Sequence, residues 1–275
     1  MAFLTHDHGG VVYHTSSILD SSSLVHGFST RLGGVSKGHF ASLNFQKNGP
    51  EPDNWENVLE NYRRFCEALG TDVRGVVRSK QVHRDTVRHV TAADRGKGLF
   101  AARDYTADAL VTNEPGLDLM VFSADCIILL LCDMATRSIG AVHAGWRGTA
   151  LDLPAKAVGA MGRLFGAKPE NIRVAVGPGI GPCCFETHDD VPDAMRGAFG
   201  GGAEAYIRPR GAKWTVDLKG VNAWRLREAG VRPEHIDICS ACTACQTDLY
   251  WSHRVAGSKR GLQGALIGLK PEAAV

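Results

Sequence analysis

Long apolar runs are missing from this sequence. No stretch approaches the ~18 residues that a membrane-spanning helix needs, so an integral membrane protein is not expected. A charge excess of either sign is missing too. Lysine and arginine total 31 against 29 aspartates and glutamates, a formal net charge of +2, which gives no electrostatic case for nucleic acid or an anionic membrane as partner. The opening residues Met1–His8 hold no basic region followed by an apolar one, so no export signal is expected. The cysteines do not make a disulfide framework. The eight, at Cys66, Cys126, Cys132, Cys183, Cys184, Cys239, Cys242 and Cys245, are unevenly spread over 275 residues and read as reduced thiols in the cytoplasm. Repeats and linkers are lacking, and Gly200-Gly-Gly202 reads as a loop tip. Residues 1–275 are therefore expected to form a single domain, with 1–23 as a peripheral N-terminal segment.

What is present is an ordinary globular composition, 44% apolar and 22% charged. The clearest helix runs from Asp53 to Gly70, where Trp55, Val58, Leu59, Tyr62, Phe65, Cys66 and Leu69 keep a 3.6-residue period. Asp53 is placed to cap its start with Glu56 as capping-box partner, and Gly70 to end it. Further helices are expected at Leu151–Phe165, Asp190–Phe199 and Leu218–Ala229. Short apolar runs predict strands near Val11–Tyr13, Gly75–Val77, Thr86–Val90, Ala109–Thr112, Leu117–Phe122, Ile127–Cys132, Ser138–Val142, Ile172–Val176, Ile236–Cys239 and Ala265–Leu269. Strands cluster instead of alternating strictly with helices, so the class expected is α+β and not a doubly wound sheet.

Cys126 and His143 carry the strongest chemical signal. They sit in Phe122-Ser-Ala-Asp-Cys126 and Ala141-Val-His-Ala-Gly-Trp-Arg-Gly148, joined by what reads as strand, turn, strand. Such a hairpin returns the imidazole close to the thiol. His83, in Gln81-Val-His83, would complete a His–Cys–His set suited to Zn²⁺ or copper, with a position left for water or substrate. A metal there would bring the pKa of bound water to roughly 7. Asp125 is either a strand-end turn residue or an acceptor for the free N–H of a ligand histidine.

The stretch His26–Gly38 is rich in glycine, hydroxyl and basic groups, and reads as a tight loop suited to an anion, without Walker spacing. Arg31 and Arg147, both near glycines, are the expected anion anchors. Trp146 would either stack on a purine or pack. Gly177–Glu186 lacks the GxGxxG fingerprint, and its adjacent Cys183 and Cys184 are not read as ligands of one metal; Glu186 is a candidate acid or base. Cys239-Ser-Ala-Cys242-Thr-Ala-Cys245 overlaps two CxxC pairs but lacks a fourth ligand at standard spacing, so no cluster is expected. His253, in Tyr250-Trp-Ser-His253-Arg254, is a candidate general acid on a pocket rim. His6-Asp-His8 is the one His-x-His pair.

Taken together, His26-Gly-Phe-Ser-Thr-Arg31, Gly33-Gly-Val-Ser36, Ser42-Leu-Asn44, Gln81-Val-His83, Ala124-Asp-Cys126, Val142-His-Ala-Gly-Trp-Arg-Gly-Thr149, Gly177-Pro-Gly-Ile-Gly-Pro182, Cys242-Thr243 and Ser252-His-Arg254 resemble the YfiH-type family. That family is known both as polyphenol oxidase (laccase-like) and as purine nucleoside phosphorylase. The resemblance runs from about residue 24 to the C-terminus. It implies an α+β fold of mixed β-sheets packed with helices, similar to the catalytic domain of cytotoxic necrotizing factor toxins. It implies zinc, or in some members copper, held by His83, Cys126 and His143. It implies phosphorolysis of adenosine, inosine, guanosine and methylthioadenosine, with adenosine deamination beside it. Site residues implied are Cys126, His143, Asp125 and Arg147 for catalysis, and Ser29, Arg31, Asn44, Gln81, Trp146, Cys242 and His253 for nucleoside and phosphate. The run Lys259-Arg-Gly261 departs from the family pattern, so no role passes to Arg260. Two other readings stand beside this one. The first is a metal-free cysteine hydrolase, Cys126 with His143 as base, acting on amides such as a peptidoglycan precursor. The second is a copper-dependent polyphenol oxidase. A multicopper enzyme needs many His-x-His ligands, whereas this chain has one such pair among 11 histidines.

Overall fold

The computed structural model describes residues 2–46 and 52–271. Two mixed six-stranded sheets lie face to face between helical layers, and a small three-stranded sheet is appended. In the first sheet the strands run in the order Phe3–His8, Val11–Ser16, Leu24–Ser29, Gln263–Leu269, Asp118–Ser123 and Val76–Arg78. In the second the order is Ile236–Ile238, Arg173–Val176, Ile127–Asp133, Ser138–Ala144, Ala109–Thr112 and Val87–His89. Each contains antiparallel and parallel pairs. The α+β class is therefore present, with mixed sheets.

Strand Ile127–Asp133 shows why the core forms as it does. All seven of its residues are buried, so it reads as one apolar run, yet the two faces separate with period two. Ile127, Leu129 and Leu131 pack against the helical layer built from Leu153–Phe165, Asp190–Phe199 and Leu218–Glu228. Ile128, Leu130 and Cys132 meet Leu119, Val121, Ala265 and Ile267 of the first sheet. The outer face of the first sheet is closed by the helix Trp55–Leu69, through Val58, Tyr62, Phe65 and Cys66. Among the described residues no helix is long and apolar enough to cross a membrane.

Several local expectations change. The helix cap is Asn54, whose side chain accepts the Glu56 N–H at 2.7 Å; Asp53 instead accepts from Asn54 N–H and from Asn44 Nδ2. The strand expected near Val11–Tyr13 runs from Val11 to Ser16 and pairs with a further strand, Phe3–His8, at the edge of the first sheet, where His6 bonds Thr15 Oγ1 across the pair. His26–Ser29, expected within a loop, belong to the strand Leu24–Ser29, which is buried along its whole length. Gly27 lets the Leu69 side chain lie close against this strand: a Cβ there would stand 2.6 Å from Leu69 Cδ2, and the leucine would have to shift. The helix expected over Leu151–Phe165 is present from Leu153 to Phe165, and a short helix that was not expected, Trp146–Ala150, precedes it. The left-handed Asp152 separates them (φ 58°).

Asp118 gives the fold a pH dependence. It is 4% exposed and accepts the Thr71 hydroxyl at 2.6 Å. Burial pushes its carboxyl up to about 6, against the pull of Thr71 and Arg95. An unfolded aspartate titrates near about 3.9, so the native state holds this proton more tightly. The stability it contributes is full below pH ~4 and is lost as pH rises through about 6. Asp118→Asn keeps the shape and removes the charge. It is expected to exceed the parent protein by on the order of 2 kcal/mol at pH 8 and to match it at pH 4; urea midpoints at both values check this.

Candidate metal centre

The hairpin register creates the site. Ile128 lies opposite His143 and Ile127 opposite Ala144. Cys126, just before the first strand, therefore faces Gly145, just after the second. A Cβ on Gly145 would stand 2.9 Å from Cys126 Sγ and 3.1 Å from His83 Cδ2, so only glycine leaves room for the thiol and the ring. The adjoining strand Ala109–Thr112 brings in Asp108. Its carbonyl accepts the His143 N–H at 2.7 Å, and its buried carboxylate lies 2.9 Å from His143 Nδ1. The same carboxylate accepts the backbone N–H groups of Val82, His83 and Arg84 at 3.0–3.1 Å. It thereby holds His83 in a left-handed backbone conformation (φ 59°).

Ligand atoms of His83, Cys126 and His143 all lie within 4.8 Å of one another. Cys126 Sγ is 3.9 Å from His83 Nε2, and the two rings meet edge to face at 4.9 Å. With Nδ1 turned to Asp108, His143 is left its Nε2 for the thiol or an ion, the usual carboxylate–histidine arrangement of metal ligands. Burial pushes the Cys126 thiol up, but the charge and hydrogen bond of His143, then His83, bring it down to about 6. Burial pushes His143 down, but Cys126 and Asp108 raise it to about 9. Burial likewise pushes Asp108 up, and its bonds to His143 and to the N–H groups of Arg84 and Val82 outweigh it, leaving the carboxyl low. Two imidazole nitrogens and one thiolate on one point fit a single ion with a vacant position. They do not fit a cluster of several coppers. Among the described residues the other convergent donor set is four cysteines.

The triad forms part of the wall of a cavity of about 350 Å³. Arg78, Lys80, Arg103 and Arg260 line it, together with Gln46, Ser79, Gln81, Ser123 and the apolar Phe122, Ala124 and Leu262. No aspartate or glutamate among the described residues does so. Burial and neighbouring Arg78 lower the Arg103 pKa; burial lowers that of Arg260, opposed by Asp125 and Cys126.

Several expected site residues stand elsewhere. Arg31 is spent on the carbonyls of Ala41 and Thr247 and stacks on Trp251 at 3.9 Å. Arg147 is exposed and lies over its neighbour Trp146, which packs on the helical core. Neither arginine lines the cavity. Asp125 sits at a turn (φ 94°) and accepts Thr243 Oγ1, Ser252 Oγ and Arg254 N–H; the histidine acceptor is Asp108 instead. Ser29 Oγ accepts Gly264 N–H, and Asn44 Oδ1 accepts the N–H groups of Gln46 and Leu262. Both positions are structural joints. Gln81 is on the wall, its amide paired with both backbone groups of Phe122. Cys242 lies among other cysteines, Glu186 pairs with Lys213, and His253 Nδ1 bonds the Gly257 carbonyl.

Asp108, Arg78, Lys80, Arg103 and Arg260 are additions from the structure. Arg78 and Lys80 precede Gln81-Val-His83 by a few residues, a basic flank the sequence did offer. Arg260 bonds Gln46 Oε1 at 3.1 Å and borders the site despite the divergent run around it.

The family model described as multi-copper polyphenol oxidoreductase laccase matches residues 25–270. The chain is 36% identical over 251 residues to purine nucleoside phosphorylase YlmD of Geobacillus stearothermophilus, covering 90% of this chain and 91% of that protein. It is 34% identical over 227 residues to purine nucleoside phosphorylase YfiH of Escherichia coli, covering 82% and 86%. The crystal structure of YlmD from Geobacillus stearothermophilus superposes with a TM-score of 0.90 at 32% identity, over 98% of this chain and all of that one.

Proposed function

Because the chain belongs to the family described as multi-copper polyphenol oxidoreductase laccase, whose relatives include proteins named purine nucleoside phosphorylase, we propose that it is a metal-dependent purine nucleoside phosphorylase. Its substrates in this reading are adenosine, inosine, guanosine or methylthioadenosine together with phosphate, and adenosine deamination is a side activity of the same centre. One observation carries the proposal. A cavity at the lower end of the size of small-molecule sites, roughly 300–1,000 Å³, joins a His–Cys–His donor set to four cationic side chains with no described acid among them.

Phosphorolysis breaks the N9–C1′ bond as a phosphate oxygen bonds to C1′, giving purine and ribose 1-phosphate. Zn²⁺, or copper, bound by His83, Cys126 and His143 would supply Lewis-acid charge to an oxygen of the substrates. The chain's own groups supply the rest. Arg78, Arg103, Arg260 and Lys80 offset the phosphate charge and fix its direction of approach. Phe122, Ala124 and Leu262 offer the purine an apolar wall. Gln81, clamped to Phe122, ties that wall to the loop bearing His83. The eight cysteines, all free, suit a reducing cytoplasm, and residues 1–275 are read as one domain.

Arg260→Gln and Arg103→Gln are each expected to raise the phosphate KM roughly 10-fold or more, the worth of a charge-assisted hydrogen bond. Arg147→Gln should leave it within about twofold. Steady-state assays of ribose 1-phosphate formation check this. Equal phosphate KM in all three variants would remove the phosphate from this cavity.

A second reading has its own support. Cys126, His143 and Asp108 form a thiol–imidazole–carboxylate series, with the thiol drawn down and the imidazole raised. That is the order of groups in a cysteine hydrolase, whose substrate would be an amide such as a peptidoglycan precursor. Zinc-replete protein separates the two. A ligated Cys126 resists iodoacetamide, whereas a free, activated one is alkylated fast.

A further inference from the structure

Outside the cavity, four more sulfurs converge. The strands Arg173–Val176 and Ile236–Ile238 are parallel neighbours, with Val176 opposite Ile238. The loops that follow them leave the sheet together. An isolated parallel bridge between Gly179 and Cys242, with Thr243 N–H on the Gly179 carbonyl at 3.2 Å, keeps them in step. A tight turn, in which Cys184 and Phe185 N–H both bond the Gly181 carbonyl, lets the adjacent side chains of Cys183 and Cys184 approach one point. The Sγ atoms of Cys183, Cys184, Cys242 and Cys245 all lie within 4.8 Å of one another, with Cys184 to Cys245 at 3.3 Å and Cys183 to Cys245 at 3.6 Å.

We infer that Cys183, Cys184, Cys242 and Cys245 form a second metal site, separate from the His83–Cys126–His143 centre, that takes one Zn²⁺ in tetrahedral thiolate coordination. An ion about 2.3 Å from each sulfur sets the sulfurs about 3.8 Å apart; the Cys183–Cys245 and Cys184–Cys245 pairs fall a few tenths of an ångström short of that, and every pair lies within 4.8 Å. An iron–sulfur cluster spreads its thiolates over several irons and needs a wider nest. The surroundings of Cys242 suit a thiolate. Cys242 Sγ accepts the Gly181 N–H at 3.1 Å, and the amides of Cys245 and Ala244 also face it. Four thiolates around a divalent ion leave two negative charges, and three cations bind the backbone of these same loops. Buried Lys219 donates to the carbonyls of Cys239 and Ala241 at 2.7 and 2.6 Å and pairs with no carboxylate among the described residues. Arg210 donates to the Cys183 carbonyl and Arg254 to that of Cys184.

Binding is a substitution without redox change: four S–H protons leave to solvent as four S–Zn bonds form. All four positions are filled by protein, as in structural sites. The site would pin the loops that brace Asp125, through Ile180 N–H on its carbonyl and Thr243 Oγ1 on its carboxylate, and so steady the turn that presents Cys126.

Elemental analysis of protein prepared under reductant and without chelator should give two zinc ions per chain. Cys126→Ala should keep one, and its cobalt-loaded form should show the strong thiolate-to-cobalt charge-transfer and tetrahedral ligand-field absorption of a four-sulfur site. Adding Cys184→Ser and Cys245→Ser should abolish that spectrum. The site is overturned if Cys126→Ala retains no zinc and takes up no cobalt. It is also overturned if zinc-replete native protein has all four thiols alkylated as fast as free cysteine, or if mass spectrometry finds Cys184 and Cys245 as a disulfide. The first two measurements need no change at the four cysteines, so they decide the matter even if the triple variant does not fold.

Discussion

With the proposed function, Cys126→Ala and His143→Ala should each lose a bound ion and lower inosine phosphorolysis by roughly 10³-fold or more, the scale on which an electrostatic stabiliser of the transition state acts. The reasoning is geometric. Three protein donors hold a zinc ion and leave it a vacant position. With two, the ion is weakly held and the cavity loses its fixed charge. The double variant should be little worse than either single one, because the ligands act as a unit. Both side chains stand at a strand end beside an open cavity, so Cys126→Ala should leave far-ultraviolet circular dichroism unchanged and shift the melting point by only a few degrees. Metal content and product formation must fall together. Metal-depleted Cys126→Ala that still turns over inosine at the parent rate would leave the triad without a part in the chemistry.

Legibility in the sequence followed distance along the chain. Cys126 and His143 belong to one hairpin, and their apposition follows from period two and a short turn. His83 comes from a separate loop 43 residues before Cys126; its residue type offered it as a third ligand, but the Asp108 bonds that seat its loop beside the hairpin were not legible. Nothing at Asp108 announces this. It is one acid before a short strand, and its four donors come from residues 82–84 and 143. The cationic wall was hidden for a different reason. A net charge of +2 averages over the whole surface, while Arg78, Arg103 and Arg260 arrive singly from remote segments. Arg31 and Arg147 looked like anion sites because glycine flanks them. In the fold the glycine beside Arg31 serves close packing: a Cβ on Gly33 would stand 2.3 Å from the Gly10 carbonyl oxygen. The strand Leu24–Ser29 was lost among hydroxyl residues, because its burial comes from pairing with Gln263–Leu269 at the far end of the chain.

Asp108→Asn is the sharper test of how the centre is assembled. The carboxylate bridges the His143 imidazole to the backbone of the loop that bears His83, so one group sets the positions of two ligands. An amide cannot serve all of these donors, because its NH₂ must face one of them. Zinc affinity is expected to fall 10–100-fold, the usual cost of losing a carboxylate behind a ligand histidine. Asp108→Ala leaves buried N–H groups with no acceptor and should also cost stability, roughly 3 kcal/mol or more. The role is one of positioning, and it leaves a signature. Excess zinc should restore much of the Asp108→Asn kcat, whereas it restores nothing to Cys126→Ala. Chelator competition gives the affinity, and zinc titration of activity gives the recovery. If Asp108→Asn binds zinc as tightly as the parent protein, the carboxylate serves only the loop, and His143 is oriented by its strand alone.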